Sequence, residues 1–165
     1  MSSPHWHSAY IGVGSNLEHP DRQVRSGIER IGAIADTRVI ARSPFYKSRA
    51  WGRTDQPDFI NAVVGVLTHL SSSALLAALL ELEVAAGRPA RREKWAPRVL
   101  DLDLLVFGTE QSAVPERLLP HPGIATRNFV LFPLRDLAPH LEIPGVGRVS
   151  QLAARLSAEN IQVLP

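Results

Sequence analysis

The chain has 165 residues, no cysteine and a formal net charge of +2 at pH 7. Its length suits one domain with its own hydrophobic core, and the lack of cysteine excludes disulfides and thiolate metal sites. The small net charge does not favour a nucleic-acid coat, and the sequence has neither a signal-peptide pattern nor an apolar run of about 18 residues that would span a membrane. We therefore expect a cytoplasmic protein in which any metal site uses oxygen or nitrogen ligands.

The first third of the sequence predicts a strand, a helix and a second strand after a flexible leader at residues 1–8. The apolar run at residues 8–13 indicates a buried strand that ends in a turn. Apolar residues at helical spacing predict a helix over residues 20–35, and β-branched residues predict a strand over 37–43. Residues 44–58 lack periodicity and predict a long loop, whose tryptophan either covers a ligand or anchors the loop to the core.

Residues 59–68 have the alternation of a strand that is buried on one face. Phe59 and Asn61 then lie together on the other face. A planar aromatic ring beside an amide group, which has donors and an acceptor, suits the recognition of a flat heterocycle.

Residues 71–86 predict an apolar helix that is capped by Ser72 or Ser73. Glu83 falls in its last turn, where the negative end of the helix dipole disfavours a carboxylate. Either the nearby Arg88 compensates for this carboxylate, or Glu83 binds a cationic or donor-rich group.

The segment over residues 94–107 carries the most specific pattern. In a strand, Asp101 and Asp103 lie on one face about 7 Å apart, and leucines line the other face. Neighbouring carboxylates on a strand repel each other unless a cation lies between them, so the pair favours a metal site over two solvated surface side chains. Two carboxylates hold Mg²⁺, and basic side chains neutralise the remaining phosphate charge. The basic residues just before the pair are Arg88, Arg91, Arg92, Lys94 and Arg98.

The last third of the sequence begins with a polar stretch over residues 108–116, which predicts a turn or hairpin. His121 follows between two prolines, where a histidine is either a phosphate donor or incidental. Residues 127–134, if extended, bring Arg127 and Phe129 to the same side.

A short helix over residues 149–156 and a frayed C-terminal tail over 158–165 complete the predicted elements. The order strand, helix, strand, strand, helix, strand predicts an α+β fold of ferredoxin-like type. This fold is a sandwich in which helices cover an antiparallel sheet, here with a small C-terminal addition. We expect a single domain over residues 9–157.

Five segments form a specific pattern along the chain, namely Tyr10 to Leu17, Asp55 to Ala62, Leu82 to Arg88, Lys94 to Leu105 and Pro120 to Leu131. In this order they resemble the 6-hydroxymethyl-7,8-dihydropterin pyrophosphokinase family. The resemblance implies the ferredoxin-like fold and transfer of the pyrophosphate of ATP to the hydroxymethyl oxygen of the dihydropterin, which gives AMP in folate biosynthesis. It implies two Mg²⁺ ions with ATP as cosubstrate, and we expect a monomer without nucleic acid or membrane partners.

The resemblance also assigns roles to individual residues. Asp101 and Asp103 hold the Mg²⁺ ions between the triphosphate and the attacking hydroxyl group, and Arg88 and Arg98 take part in catalysis. Arg117 receives no role, because the sequence from Arg117 to His121 is one residue shorter than the matching segment usual in the family. The implied ATP-binding residues are Glu83, Arg88, Arg91, Lys94, Trp95, Arg98, His121 and Arg127. The implied pterin-binding residues are Ser48, Trp51, Phe59, Asn61, Asp101 and Phe129.

Two other functions remain compatible with the residues alone. A ferredoxin-like sheet with aromatic side chains and a basic segment is typical of single-stranded RNA-binding modules, but Asp101 and Asp103 on such a sheet repel a phosphate backbone. A related kinase would transfer one phosphate to another small alcohol and release ADP. The nucleotide product therefore separates the candidate reactions.

Overall fold

The computed structural model describes residues 5–17, 19–49, 57–87 and 99–165, and these residues form ten strands and four helices. The strands are β1 His7–Ser15, β2 Thr37–Arg42, β3 Tyr46–Ser48, β4 Phe59–Thr68, β5 Asp101–Phe107, β6 Ser112–Val114, β7 Arg117–Leu119, β8 Glu142–Ile143, β9 Gly147–Arg148 and β10 Ile161–Val163. The helices are α1 Pro20–Gly32, α2 Ser72–Ala85, α3 Asn128–Leu137 and α4 Val149–Ala154. In these parts of the chain, no helix is long and apolar enough to cross a membrane.

Six strands form the central antiparallel sheet in the order β10-β3-β4-β1-β5, with β2 also paired to β4. β4 has ten residues, and it pairs with β2 along its second half and with β3 along its first residues. β1 lies between β4 and β5. This arrangement, with α1 after β1 and α2 after β4, confirms the predicted α+β sandwich of ferredoxin-like type.

Helices cover both faces of the sheet, and each face has its own apolar core. Alternate residues of β1, including Ile11 and Val13, face α1 and α2 and are fully buried. The opposite face packs against α3 and α4 through Tyr46, Val63 and Leu105. Because α3 and α4 follow β5 in the chain, the C-terminal addition supplies the second helical layer.

The start of α2 differs from the prediction in its capping residue. The N-cap is Ser71, whose side chain accepts a hydrogen bond from the backbone N–H of Ala74 at 3.1 Å. The prediction of Ser72 or Ser73 as the cap was wrong, because these two side chains contact Glu110 and the β6–β7 hairpin instead. The sequence signal for a serine cap was ambiguous, since three serines stand in a row.

The long loop predicted over residues 44–58 contains β3, so the prediction was wrong for this part of the chain. Tyr46 lies opposite Asn61 of β4, and Ser48 lies opposite Phe59. Three residues are too few to show alternation, and pairing with β4 stabilises the strand instead. Residues 50–56 of this segment, which include the predicted Trp51, lie outside the described residues.

Residues 127–134 are helical rather than extended, because α3 occupies most of this range. Five consecutive residues, 130–134, are buried, so burial here does not follow the one-face pattern of a surface helix. Every side chain from 129 to 134 is apolar, so the alternate-residue pattern on which the extended reading depended also fits a helix.

Both ends of the described chain contribute more to the fold than predicted. β1 begins at His7, and the ring of Trp6 stacks on His69 with 3.6 Å between centroids, within the leader predicted at residues 1–8. At the other end, β10 pairs antiparallel with β3, within the tail predicted at residues 158–165. Backbone hydrogen bonds to β3 therefore order residues that sequence patterns indicated as frayed.

Candidate active site

Two rows of residues that lie opposite each other cross β4, β1 and β5 near the end of β1. Gly14 of β1 lies opposite Asn61 of β4 on one side and opposite Asp101 of β5 on the other. Residues that lie opposite each other in antiparallel strands share a face, so Asn61 and Asp101 project to the same side across Gly14. Gly12 likewise lies between Val63 and Asp103. Because β1 presents two glycines here, no side chain of β1 stands between β4 and β5 on this face, and we call this strip of the sheet the floor of the site.

The predicted alternation on β5 is present in the structure. Leu100, Leu102 and Leu104 are at most 5% exposed and belong to the core beneath α1 and α2. Asp101 and Asp103 project to the opposite face and are half-buried. The two carboxylates are therefore accessible to a ligand, while the leucines fix the strand that carries them.

Glu83 near the C-terminal end of α2 is only 2% exposed. Its Oε2 atom accepts a hydrogen bond from the backbone N–H of Leu102 at 3.1 Å. Leu102 lies between the two aspartates, so Glu83 binds the backbone of the strand directly at the candidate metal site. This contact explains how a buried carboxylate is tolerated at the negative end of a helix dipole.

His121 lies in the loop after β7, and its backbone N–H donates to the carbonyl of Leu105 at 2.9 Å. The N–H of Gly123 donates to Nδ1 of His121 at 3.1 Å, so in the neutral ring the proton is on Nε2. This Nε2 atom lies 3.9 Å from Oδ1 of Asp103. Burial and the charge of Arg127 lower the pKa of His121, against the opposite effect of Asp101. The lowered pKa favours the neutral ring, whose Nε2 proton is then on the side of Asp103.

The predicted pterin-binding residues of β3 and β4 lie side by side. Ser48 is buried and lies opposite Phe59. Nδ2 of Asn61 donates to Oγ of Ser48 at 3.5 Å. The half-buried ring of Phe59 and the amide of Asn61 project on the face that also carries Asp101.

The beginning of α3 brings two more predicted residues to this face. Arg127 is the N-cap residue, and its guanidinium carbon lies 5.9 Å from the centroid of the Phe129 ring. Near the other end of α3, Asp136 accepts a hydrogen bond from the hydroxyl of Tyr46. Burial, then this bond, raises the pKa of Tyr46 to about 12, so the hydroxyl stays protonated and links α3 to β3.

A cavity of about 250 Å³ lies along β5 between α2 and the β6–β7 hairpin. Glu83, Asp101, Asp103 and His121 line it, so four predicted site residues share one space. Leucines of α2 and β5 form an apolar part of the wall. These lining leucines are Leu76, Leu80, Leu102 and Leu104.

Arg117 also lines this cavity, although no role was predicted for it. Its guanidinium donates a hydrogen bond to Oγ of Ser73, and its Nε lies 3.6 Å from Oε2 of Glu110. Oγ of Ser72 donates to the same carboxylate oxygen of Glu110 at 2.6 Å. These contacts bind the hairpin to the start of α2 and form one wall of the cavity. Local sequence gives no signal for them, because they join three separate segments.

Several predicted residues lie outside the described parts of the chain. The structure describes Ser48, Phe59, Asn61, Glu83, Asp101, Asp103, His121, Arg127 and Phe129 among the predicted set. The others are Trp51, Arg88, Arg91, Lys94, Trp95 and Arg98.

Asp101 and Asp103 offer hard oxygen ligands on one accessible face, which suits Mg²⁺. Within the described ranges, no group of three or more His, Cys, Asp or Glu side chains is arranged to hold a metal. A pair of carboxylates fits the usual coordination of Mg²⁺ by one or two protein carboxylates, water and substrate phosphates. The residues present therefore fit a metal that binds together with a nucleotide.

Known proteins are similar to this chain in sequence. The family model described as 7,8-dihydro-6-hydroxymethylpterin-pyrophosphokinase (HPPK) matches residues 10–139. A relative from Pseudomonas aeruginosa, named 2-amino-4-hydroxy-6-hydroxymethyldihydropteridine pyrophosphokinase, is 40% identical over 156 residues, which cover 94% of this chain and 96% of the relative. A relative of the same name from Methylorubrum extorquens is 38% identical over 154 residues, which cover 93% of this chain and 96% of the relative.

Solved structures share the fold at lower sequence identity. The crystal structure of wild-type Plasmodium falciparum HPPK-DHPS with pteroate matches with a TM-score of 0.70 and 12% identity, covering 94% of this chain and 43% of that chain. The chain thus spans less than half of that longer protein, and the likeness concerns the fold. Because the family model and the relatives cover most of the sequence, the chain belongs to the 7,8-dihydro-6-hydroxymethylpterin-pyrophosphokinase family.

Proposed function

We propose that Asp101 and Asp103 form the centre of a site at which ATP and a dihydropterin react. The reaction is transfer of the pyrophosphate of ATP to the hydroxymethyl group of 6-hydroxymethyl-7,8-dihydropterin, which gives AMP and the dihydropterin pyrophosphate in folate biosynthesis. The observation that carries the proposal is the row across the sheet, in which Asn61 and Asp101 share a face across Gly14. In this row the amide of Asn61, which suits a heterocycle, and the carboxylate of Asp101, which suits a metal-bound phosphate, lie on either side of Gly14.

Two Mg²⁺ ions are the proposed cofactor, held by the carboxylates of Asp101 and Asp103. When bound, they would neutralise the phosphate oxygens and align the triphosphate with the attacking hydroxyl group. The chain contributes mainly orientation, because the leucines of β5 and the bond from Leu102 to Glu83 fix the strand backbone. A fixed pair of ligands reduces the reorganisation that the transfer requires.

The nucleotide is proposed to lie in the cavity along β5. Its apolar leucine wall suits a base, and its aspartates and histidine lie where the phosphates would reach the sheet. His121 donates from Nε2, and Arg127 supplies positive charge close to it. Arg88 and Arg98 are proposed to stabilise the developing charge. The other proposed ATP contacts are Glu83, Arg91, Lys94 and Trp95.

The dihydropterin is proposed to lie over the floor between β4 and β5. Phe59 and Phe129 stack on its faces, and Asn61 binds its hydrogen-bonding edge. Ser48 orients the amide of Asn61, since the two side chains are hydrogen bonded. Trp51 is proposed to complete this site. The hydroxymethyl group then faces the aspartates across the glycines of β1.

The proposed enzyme is a cytoplasmic monomer with one domain over residues 9–157. The absence of cysteine is compatible with a reducing compartment. Its partners are the two substrates, without nucleic acid or membrane.

The test of the proposed reaction is product analysis of the purified protein with ATP, Mg²⁺ and 6-hydroxymethyl-7,8-dihydropterin. We expect AMP and the dihydropterin pyrophosphate in equal amounts, because the two terminal phosphates move as one unit. Samples without pterin, or with EDTA in excess of Mg²⁺, should form no AMP. Formation of ADP would contradict pyrophosphoryl transfer and indicate a single-phosphate kinase.

Asp103→Asn tests the metal-binding role with little change of shape. The side chain of Asp103 is 35% exposed and contributes to no core, so the unfolding free energy should change by less than about 0.5 kcal/mol. We expect kcat to fall on the order of 100-fold or more, since even partners of metal ligands contribute 10- to 100-fold. Asp21→Asn on the exposed start of α1 is the matched control and should keep full turnover. Normal Mg²⁺-dependent turnover of Asp103→Asn would contradict the assignment.

Variants of Glu83 test whether its carboxylate acts by holding the backbone of β5 or by contacting the nucleotide. Glu83→Ala leaves the buried N–H of Leu102 without this acceptor and should lower the unfolding free energy by about 1–3 kcal/mol, with weaker binding of an ATP analogue. Glu83→Gln keeps an acceptor oxygen and should retain most of both. Urea unfolding and calorimetric titration measure the two effects. Should Glu83→Gln bind the analogue as weakly as Glu83→Ala while staying stable, the negative charge itself contacts the nucleotide or metal.

A further inference from the structure

We infer that Gly14 is a positioning residue for the pterin site, where its missing side chain leaves the space that the amide of Asn61 occupies. The inference rests on the proposed function, in which Asn61 binds the hydrogen-bonding edge of the dihydropterin. Binding of the pterin then requires that position 14 has no side chain, although Gly14 itself does not contact the substrate. Gly14 acts through the position of the Asn61 amide.

A side chain at position 14 would collide with the side chain of Asn61. A Cβ atom at Gly14 would lie 2.5 Å from Oδ1 and 3.5 Å from Cγ of Asn61. Even a close C–H···O contact has a separation of about 3.3 Å, so the amide of Asn61 would have to move. The third neighbour is the carbonyl oxygen of Ile60 at 3.7 Å, which is an ordinary contact. The conflict therefore concerns one side chain and not the packing of β1.

Asn61 has little room to move within the sheet. On the side away from Gly14 it lies opposite Tyr46, which is buried and hydrogen bonded to Asp136. Its Nδ2 atom already faces Oγ of Ser48. A side chain at position 14 would therefore turn the amide off the floor, into the space proposed for the heterocycle, and change which of its atoms face the ligand.

Gly32, the last residue of α1, supplies a control outside the proposed site. A Cβ atom there would meet Cγ2 of Val39 at 3.7 Å, which is ordinary van der Waals contact. Neither glycine has a positive φ, so alanine is compatible with the backbone at both positions. The two substitutions therefore differ in whether they displace Asn61.

The experiment compares Gly14→Ala with Gly32→Ala in steady-state kinetics and in binding of 6-hydroxymethylpterin. We expect Gly14→Ala to raise the KM for the dihydropterin about tenfold, the effect of losing roughly one good hydrogen bond. Its kcat at saturating pterin and its affinity for an ATP analogue should match the wild type. Gly32→Ala should keep the wild-type KM. Equal KM values for Gly14→Ala and the wild type would overturn the inference.

A double-mutant cycle with Asn61→Ala separates positioning from general damage. In the Asn61→Ala background the obstructing amide is absent, so Gly14→Ala should cause no further rise in KM and no loss of folded protein. A full additive rise in KM in the double variant would show that Gly14 does not act through Asn61, which also overturns the inference. If the wild-type protein itself neither binds the pterin nor forms AMP, the failure lies with the proposed function and not with Gly14.

Discussion

The antiparallel pairing of β1 with both β4 and β5 is the constraint on which the rest of the site depends. This pairing sets the register that aligns Asn61, Gly14 and Asp101 in one row. A shift of one residue would turn both aspartates to the core and the leucines of β5 to the ligand face. The register is strongly specified, because β1, β4 and β5 bury alternate side chains under α1 and α2. The apolar core thus determines where the polar residues of the opposite face lie.

The site has two parts that meet at Asp101. The cavity along β5 is bounded by α2 and the β6–β7 hairpin, while the floor lies on the face of the sheet that packs against α3 and α4. Separate contacts stabilise the two parts: Glu110 links the hairpin to α2, and Tyr46 links β3 to α3. This division suits a reaction of two substrates, because each can be oriented by its own elements while the reacting groups meet at the sheet. Glu83 connects α2 directly to the strand between the aspartates.

Patterns of short range were sufficient to predict much of this architecture. The alternation around Asp101 and Asp103 and the pairing of Phe59 with Asn61 on one face are local consequences of strand geometry, and the structure has both faces as predicted. Features that depend on contacts between distant segments were not predictable from one sequence. The strand β3 forms through pairing with β4, and α3 was obscured by a run of apolar residues that fits two periods. The contacts of Arg117 and the close approach of Gly14 to Asn61 depend on register, which local patterns do not specify.

A crystal structure with Mn²⁺ in place of Mg²⁺, a non-hydrolysable ATP analogue and 6-hydroxymethylpterin would show whether Asp101 and Asp103 hold the metal at the junction of the two substrates. Anomalous scattering identifies the Mn²⁺ positions independently of any assumption about the ligands. We expect metal bound by carboxylate oxygens of both Asp101 and Asp103 at about 2.1 Å, with the pterin on the floor beside Asn61. Metal and nucleotide bound elsewhere, with neither aspartate coordinated, would contradict the proposed site.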